Sequence, residues 1–212
     1  GPLVKETGAD AVIVNGENAA GGKGITAQIC RELFALGVDV ITLGNHAWDK
    51  REIATYIDEE PRLIRPLNYP PGTPGGGSYV VRREGRPALA VVQVQGRVYS
   101  PQLLEDPFRA VEGEVERLRQ STPIIVVDCH ADATSEKQAM GWFLDGQVSA
   151  VIGTHTHVQT ADEVVLPGGT AYITDVGMCG PWVSVIGAER ELALERFLTQ
   201  LPVRLEAAKG PA

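Results

Sequence analysis

The sequence predicts a single α/β domain, and three observations lead to this fold class. Short, almost purely apolar runs, such as residues 11–14, 38–43 and 124–128, alternate along the chain with amphipathic segments of helical period. Such alternation is typical of β-sheets covered by helices. A length of 212 residues with 43% hydrophobic and 22% charged residues is sufficient for one domain with a substantial core. No internal repeat or low-complexity stretch divides residues 1–212.

The predicted elements follow one another in a regular order. A glycine-rich loop over 16–24 separates the first strand from the first helix, which Thr26 is expected to cap. A proline- and glycine-rich loop over 70–77 precedes a β-hairpin. Further along, Thr134 or Ser135 is the expected N-cap of a helix. In chain order we expect strands over 11–14, 38–43, 78–83, 86–95, 124–128, 148–152, 163–166, 171–174 and 202–206, and helices over 26–36, 51–59, 108–120, 135–144 and 189–198.

Charge and cysteine content exclude several classes of protein. A net charge of −8 argues against a broad nucleic-acid-binding surface, but it allows a small phosphate-bearing substrate, because bound cations would dominate the local field. No membrane span or secretion signal is recognisable. Cys30, Cys129 and Cys179 are odd in number and form no CxxC pair, so we expect reduced thiols and a cytoplasmic location. Formation of a homo-oligomer is left open.

Polar residues cluster just past the carboxyl ends of the predicted strands, where open α/β sheets bind ligands. In an extended segment, residues two apart point to one side, so His155 and His157 are expected to serve one metal ion or two adjacent ions. A single histidine is usually a core or surface residue, but all four histidines of this chain lie in such clusters. The clusters are Asn15-Gly16-Glu17-Asn18, Gly44-Asn45-His46, Asp128-Cys129-His130 and Gly153-Thr154-His155-Thr156-His157.

The two clusters in the first half of the chain predict different roles for neighbouring side chains. The carboxylate of Glu17 can bridge two cations. The amide of Asn18 can supply a neutral ligand, although an asparagine here is more often a cap or turn residue. Asn45 and His46 are adjacent, so their side chains should diverge, with one binding metal and the other facing substrate as an acid. The glycines after Asn18 match neither nucleotide-binding loop pattern.

The clusters in the second half predict a strand end that faces the site. His130 should share the face of Asp128, while Cys129 points the other way and packs as a small hydrophobic residue rather than acting as a thiolate ligand. Asp175, at the end of a later strand, is expected either to orient a metal-bound histidine or to form a turn. Arg97 is interpreted as a surface arginine rather than a phosphate ligand.

Longer stretches around these clusters resemble the YmdB-type branch of the calcineurin-like metallophosphoesterases. Gly-Asn-His at 44–46 and Gly-Thr-His-Thr-His at 153–157 are general to that superfamily. Gly-Glu-Asn-Ala-Ala-Gly-Gly at 16–22 and His-Ala-Asp-Ala-Thr-Ser-Glu at 130–136 are specific to the branch. The likeness runs through nearly the whole chain.

This resemblance implies a four-layered α/β sandwich that holds two metal ions, iron in this branch, and hydrolyses phosphodiesters such as 2′,3′-cyclic nucleotides. A small phosphodiester or nucleotide is thus the implied partner, and mixed nitrogen and oxygen ligation would also suit manganese or zinc. By the same resemblance, Glu17 is the bridging carboxylate and His46 the proton donor. The remaining implied ligands are Asn18 and His157 for the first ion, and Asn45, His130 and His155 for the second.

The sequence departs from the family pattern at both ends. Family members begin with a strand ending in Gly-Asp-x-x-Gly, whose aspartate binds the first ion, and this element is not found in the sequence. The last family strand is also unmatched, and residues 1–4 read as the inside of a helix. We therefore expect a fragment of a longer protein that lacks the first and last strands and has an incomplete first metal site.

Two other interpretations are left open by the residues alone. A metal-binding regulator or pseudoenzyme would keep the ligand clusters and act through partner contacts. His46, which binds no metal in the implied scheme, favours catalysis over that alternative. A mononuclear zinc hydrolase would use only His130, His155 and His157, and the metal stoichiometry would distinguish it.

Overall fold

The fold is built on two β-sheets, seen in a computed structural model that describes residues 2–211. Three parallel strands, β1 (Ile13–Asn15), β2 (Val40–Thr42) and β3 (Leu63–Ile64), form the smaller sheet in chain order. The larger sheet has six strands: β4 (Ser78–Val81), β5 (Leu89–Gln95), β6 (Ile124–His130), β7 (Ala150–Thr154), β8 (Val164–Val165) and β9 (Ala171–Ile173). Their order across the sheet is β4-β5-β6-β7-β9-β8, with antiparallel pairing only at the two edges.

Six helices occur in the described part of the chain: α1 (Pro2–Thr7), α2 (Ala27–Ala35), α3 (Ile53–Glu59), α4 (Pro107–Arg119), α5 (Thr134–Phe143) and α6 (Arg190–Thr199). The hydroxyl of Thr26 accepts the N–H of Ile29 at 3.3 Å and caps α2, as predicted. Asp106 caps α4 in the same way, with Pro107 at the first helical position. No described helix is long and apolar enough to cross a membrane.

Helices and sheets stack in four layers. The outer face of the smaller sheet packs against α2 and α3 through residues that include Cys30, Ile41 and Ile53. The outer face of the larger sheet packs against α4 and α5. A third cluster lies between the sheets and is formed by residues from β2, β3, β4 and β5, namely Val40, Ile64, Val81 and Val91. The four-layered sandwich predicted from the sequence is confirmed.

The layer between the sheets becomes polar towards the carboxyl ends of the strands. Along β5, Val92 and Val94 face the helices, whereas Val91, Gln93 and Gln95 alternate with them and point to the other side. The buried amide of Gln93 bonds to the Leu43 carbonyl, across to the smaller sheet. At the carboxyl end of β5, the side chains that point between the two sheets are therefore polar, whereas those nearer the start of the strand are apolar.

Three expectations about local structure are corrected. Residues 202–206 form no strand, and Ala207 makes only an isolated bridge with Ala188. Helix α5 already begins at Thr134, so its N-cap is Ala133, which has no side chain able to cap. The strand β3 was not predicted because it is only two residues long, too short to display a period-2 pattern.

Candidate metal centre and active site

The candidate metal centre lies at the carboxyl edge of both sheets. In the smaller sheet, β1 ends at Asn15 and is followed by Glu17, and β2 is followed by Asn45. In the larger sheet, β6 ends at His130 and β7 is followed by His155. The strands of each pair run parallel, so their ends meet at one edge. This is the edge at which open α/β sheets bind ligands.

Three side chains converge on Nε2 of His130. This nitrogen lies 3.1 Å from Oε1 of Glu17, 2.9 Å from Oδ1 of Asn45 and 3.1 Å from Nδ1 of His155. The ligand atoms of Glu17, His130 and His155 all lie within 4.8 Å of one another. Glu17 and His130 are buried, whereas Asn45 and His155 are partly exposed. We refer to these four residues as the His130 cluster.

A buried chain of hydrogen bonds determines which nitrogen of His130 faces the cluster. Asp128 accepts the hydroxyl protons of Thr154 and Thr42, both at 2.6 Å. Because the Thr154 proton goes to Asp128, the Thr154 oxygen accepts the Nδ1 proton of His130, at 2.9 Å. Nε2 then carries a lone pair, as a metal ligand requires. Burial raises the pKa of Asp128, opposed by the nearby His130 and by the two threonine hydrogen bonds.

The donor set of the His130 cluster fits a cation. Oε1 of Glu17 and Oδ1 of Asn45 both present lone pairs towards the Nε2 lone pair of His130, and a shared cation would stabilise this arrangement. Gly44 keeps the space open, since a Cβ at this position would collide with Oε2 of Glu17 and Nε2 of His130. A mixture of carboxylate, amide and imidazole ligands suits iron, manganese or zinc.

Glu17 is held in place by its neighbours in two adjacent loops. Its own N–H donates to Oδ1 of Asn15 at 3.3 Å, and Nδ2 of Asn15 donates to the Leu43 carbonyl at 2.9 Å. Its Oε2 accepts the N–H of His46 at 3.3 Å. Burial alone would raise the pKa of Glu17, but the contact with His130 and the backbone N–H of His46 hold the pKa below its usual range. The carboxylate is therefore ionised and able to bind a cation.

Asn45 and His46 diverge, as the sequence predicts. Asn45 turns its amide oxygen to His130, while the His46 ring contacts Asp49, with 3.0 Å between Nδ1 and the Asp49 Oδ2. About a quarter of the His46 side chain is exposed. The Asp49 carboxylate accepts a hydrogen bond from the N–H at Nδ1 of His46. Nε2 of that ring is then free to exchange a proton with a ligand.

The segment with two histidines is not extended, which corrects the expectation that both imidazoles share one strand face. His155 has φ 97° and His157 has φ 68°, both in the left-handed region, in the loop that follows β7. Between them, Thr156 donates its N–H (3.1 Å) and its hydroxyl (2.6 Å) to Oδ2 of Asp175. These bonds pin the turn that aims His155 at the His130 cluster. Asp175 contacts neither histidine directly, and it also accepts the N–H of Gly177 at 2.8 Å, so it forms a turn as well as holding the segment between the two histidines.

Asp175 is itself part of a buried ion pair. Nζ of Lys137, on α5, lies 2.8 Å from Oδ2 of Asp175, and both side chains are almost completely inaccessible to solvent. Burial would raise the pKa of Asp175, but Lys137, Thr156 and the N–H of Gly177 hold the pKa below its usual range. Helix α5 therefore fixes the histidine-bearing loop through a charge.

Two predicted ligands lie outside the His130 cluster. Nδ2 of Asn18 donates to the Gly22 carbonyl at 2.8 Å. This contact forms a turn, which was the alternative to a ligand role for Asn18. Nδ1 of His157 lies 3.3 Å from the Ile186 carbonyl. The mononuclear alternative grouped His157 with His130 and His155, whereas among the described residues Glu17 takes that third place.

Sequence reasoning missed the residues that hold the ligands. Thr42, Thr154 and Lys137 contact acidic groups many residues away, and no local pattern signals such contacts. Gln93 and Gln95 did carry a signal, because amides two apart in an otherwise apolar strand mark one polar face. Cys129 lies in the core, as predicted, and burial raises the pKa of its thiol to about 12.

A cavity of about 130 Å³ opens beside the His130 cluster. Asn45, His130 and His155 line one side of it. Its lining also includes Ala131 and Asp132, which follow β6, and residues 95, 96 and 98–102, from the end of β5 and the loop that leads to α4. A ligand bound at the cluster would therefore extend into this cavity.

Two sheets packed between helices, with carboxylate, amide and imidazole ligands at their common carboxyl edge, define the class of the calcineurin-like metallophosphoesterases. More narrowly, the chain belongs to the family described as YmdB-like protein, whose model matches residues 2–212.

Almost the whole chain is similar in sequence or in structure to known proteins. It is 54% identical, over 198 residues, to a 2′,3′-cyclic-nucleotide 2′-phosphodiesterase of Bacillus subtilis, covering 93% of this chain and 74% of that protein. A hypothetical protein from Thermus thermophilus has a crystal structure similar to this one, with a TM-score of 0.90, 48% identity and coverage of 99% and 81%. A novel phosphatase from Mycoplasma pneumoniae gives a TM-score of 0.88 at 38% identity, with coverage of 98% and 75%.

Proposed function

We propose that this chain carries the active site of a metal-dependent phosphodiesterase that hydrolyses 2′,3′-cyclic nucleotides. The observation that carries the proposal is the convergence of Glu17, Asn45 and His155 on Nε2 of His130. The backbone N–H of His46 donates to Glu17 and places this histidine next to the cluster. The name of the Bacillus subtilis relative supports the substrate class. A small phosphodiester is the partner that such a site accommodates.

The proposal includes two metal ions. The His130 cluster would hold one ion, and Asn18 and His157 would hold a second, with Glu17 shared between them. When bound, such ions supply an electrophilic centre for phosphoryl oxygens and water of lowered pKa. Iron is the metal we propose, on the strength of the family resemblance, and the neutral amide and imidazole ligands keep such a site electrophilic.

His46 is the proposed general acid. Asp49 accepts a hydrogen bond from the N–H at Nδ1 of the His46 ring, at 3.0 Å. Nε2 is therefore the atom that delivers a proton to the substrate. Water forms the new bond to phosphorus and gives up a proton to solvent as the bond from phosphorus to the ribose 2′ oxygen breaks. This 2′ oxygen takes the proton from Nε2 of His46. The backbone N–H of His46 also donates to Glu17, and this bond fixes the position of His46 relative to the His130 cluster.

Replacement of His46 tests the assignment. In the full-length protein, H46A should retain its metal content and lose roughly 10²–10⁴ in turnover of 2′,3′-cyclic AMP. E17Q should lose both bound metal and activity, because it removes the negative charge of the shared ligand. Wild-type turnover by metal-loaded H46A would overturn the general-acid role, and wild-type protein without bound transition metal would overturn the metal centre.

We also propose a cytoplasmic location. Cys30, Cys129 and Cys179 are all free thiols, and the first two are buried. Burial raises the pKa of Cys30 and of Cys129 to about 12, so neither is a reactive thiolate. Unpaired cysteines of this kind are typical of a reducing compartment.

A further inference from the structure

The loop between β5 and α4 presents an aromatic ring at the edge of the cavity beside the His130 cluster. Tyr99 lines that cavity, yet 83% of its surface is exposed. Its backbone has φ 62°, in the left-handed region that bulky residues rarely adopt. Burial of the ring therefore does not explain this conformation, and strained residues of this kind concentrate at ligand-binding sites.

Hydrogen bonds to α5 hold the beginning of this loop rigidly. The N–H groups of Arg97 and Val98 donate to the two carboxylate oxygens of Glu136, at 2.8 and 3.1 Å. The N–H of Gly96 donates to the His130 carbonyl at 3.0 Å. The chain leading to Tyr99 is thus fixed to the same strand end that supplies a metal ligand.

Side-chain hydrogen bonds connect the end of the loop to Asn45, a member of the His130 cluster that also lines the cavity. Nε2 of Gln95 donates to the Ser100 hydroxyl at 3.1 Å, and that hydroxyl donates to Oε1 of Gln102 at 2.6 Å. Nε2 of Gln102 donates in turn to the Asn45 carbonyl, at 3.3 Å. The position of Tyr99 relative to the cluster is therefore set before any ligand binds.

Gln95, which lines the cavity, also has a buried polar atom without a partner. The residue is 3% exposed, and its Oε1 has no hydrogen-bond partner among the described residues. Buried polar atoms are usually satisfied, so this acceptor would gain a partner if the Gln95 amide turned towards a ligand, or towards a water molecule that the ligand contacts. A flat ring with N–H groups at its edge matches both this acceptor and the aromatic face nearby.

We propose that residues 95–102 form a nucleobase subsite in which Tyr99 stacks on the base of the substrate. This inference rests on the proposed function, because a phosphodiester held at the His130 cluster would direct its nucleoside into this cavity. Stacking on an aromatic side chain accepts every base, since each base has a π-face. The subsite would select nucleotides over other cyclic phosphodiesters without strong preference among bases.

The test compares a nucleotide with a base-free substrate that has the same five-membered phosphodiester ring. In the full-length, metal-loaded protein, Y99A should raise KM for 2′,3′-cyclic AMP by roughly 10-fold, while Y99F stays near wild type. Hydrolysis of glycerol 1,2-cyclic phosphate should be unchanged in both variants. L103A is the control, because it removes an exposed side chain that follows the loop and does not line the cavity. Its hydrolysis of both substrates should equal that of the wild type.

Calorimetric binding of the product 3′-AMP separates this inference from the proposed activity. Wild-type protein should bind 3′-AMP more tightly than inorganic phosphate, and Y99A should abolish most of that difference. Equal losses on both cyclic substrates, or no loss on the nucleotide, would overturn the subsite. Base-dependent binding without hydrolysis would refute the activity and support the subsite.

Discussion

The two sheets contribute side chains to the candidate metal centre in different ways. The larger sheet provides His130 from the last position of β6 and His155 from a turn after β7, both backed by buried acidic groups. The smaller sheet provides Glu17 and Asn45 from loops after three-residue strands. Its side is held mainly by backbone hydrogen bonds and by the close approach at Gly44. Loss of a buried charge on the larger-sheet side should therefore cost stability, whereas a change that displaces or disorients one of the four side chains should first cost metal binding.

The largest effect is expected at the ion pair behind the histidine turn. K137M leaves the buried carboxylate of Asp175 without its cation, and loss of one partner of a buried pair costs about 3–5 kcal/mol. Urea denaturation of the metal-free protein measures this loss. K23M, at an exposed lysine, is the matched control and should stay within about 0.5 kcal/mol of wild type. A K137M protein as stable as K23M would contradict the role given to the pair.

A smaller effect is expected where the two sides meet. G44A introduces a Cβ against Glu17 and His130, and displacement of groups by about 1 Å in an active site costs on the order of 100-fold in rate. Metal content and kcat/KM for 2′,3′-cyclic AMP report the change. G113A is the control, because a Cβ at Gly113 meets nothing within 4 Å. If G44A bound metal and turned over substrate like G113A, the close approach would have no functional importance.

The smallest effect is expected for the hydroxyl behind His130. T154V keeps the shape of the side chain but removes the acceptor for Nδ1 and a donor to Asp128. Removal of a group that orients a metal-bound histidine typically lowers metal affinity by 10- to 100-fold, and about 10-fold is expected here. Competition with a chelator measures the affinity, with T55V on the exposed side of α3 as control. Equal affinities in the two variants would show that the Thr154 hydroxyl does not orient His130.

How far the sequence predicts this site depends on the distance over which each contact acts. The ends of apolar strands indicated Glu17, Asn45, His130 and His155, because parallel strands collect their carboxyl ends at one edge. Thr26 was predictable as a cap, since a cap contacts its own helix. Both inferences use only local pattern and the general geometry of sheets.

Contacts between distant segments could not be predicted in this way. Thr154 bonds to Asp128, and Lys137 to Asp175, through pairings that depend on which strands become neighbours. The turn at His155 was misjudged for the same reason. Its left-handed backbone is stabilised by Asp175, which lies 19 residues from Thr156 and leaves no trace in the local sequence.

The assembly of the His130 cluster from both sheets has a thermodynamic consequence. Glu17 and His155 come together only when the strands between them are folded, so the unfolded chain offers a cation no comparable site. A cation present at 100 times its Kd would stabilise the folded state by about 2.7 kcal/mol. The melting temperature therefore serves as a metal-selectivity scale for iron, manganese and zinc that requires no substrate.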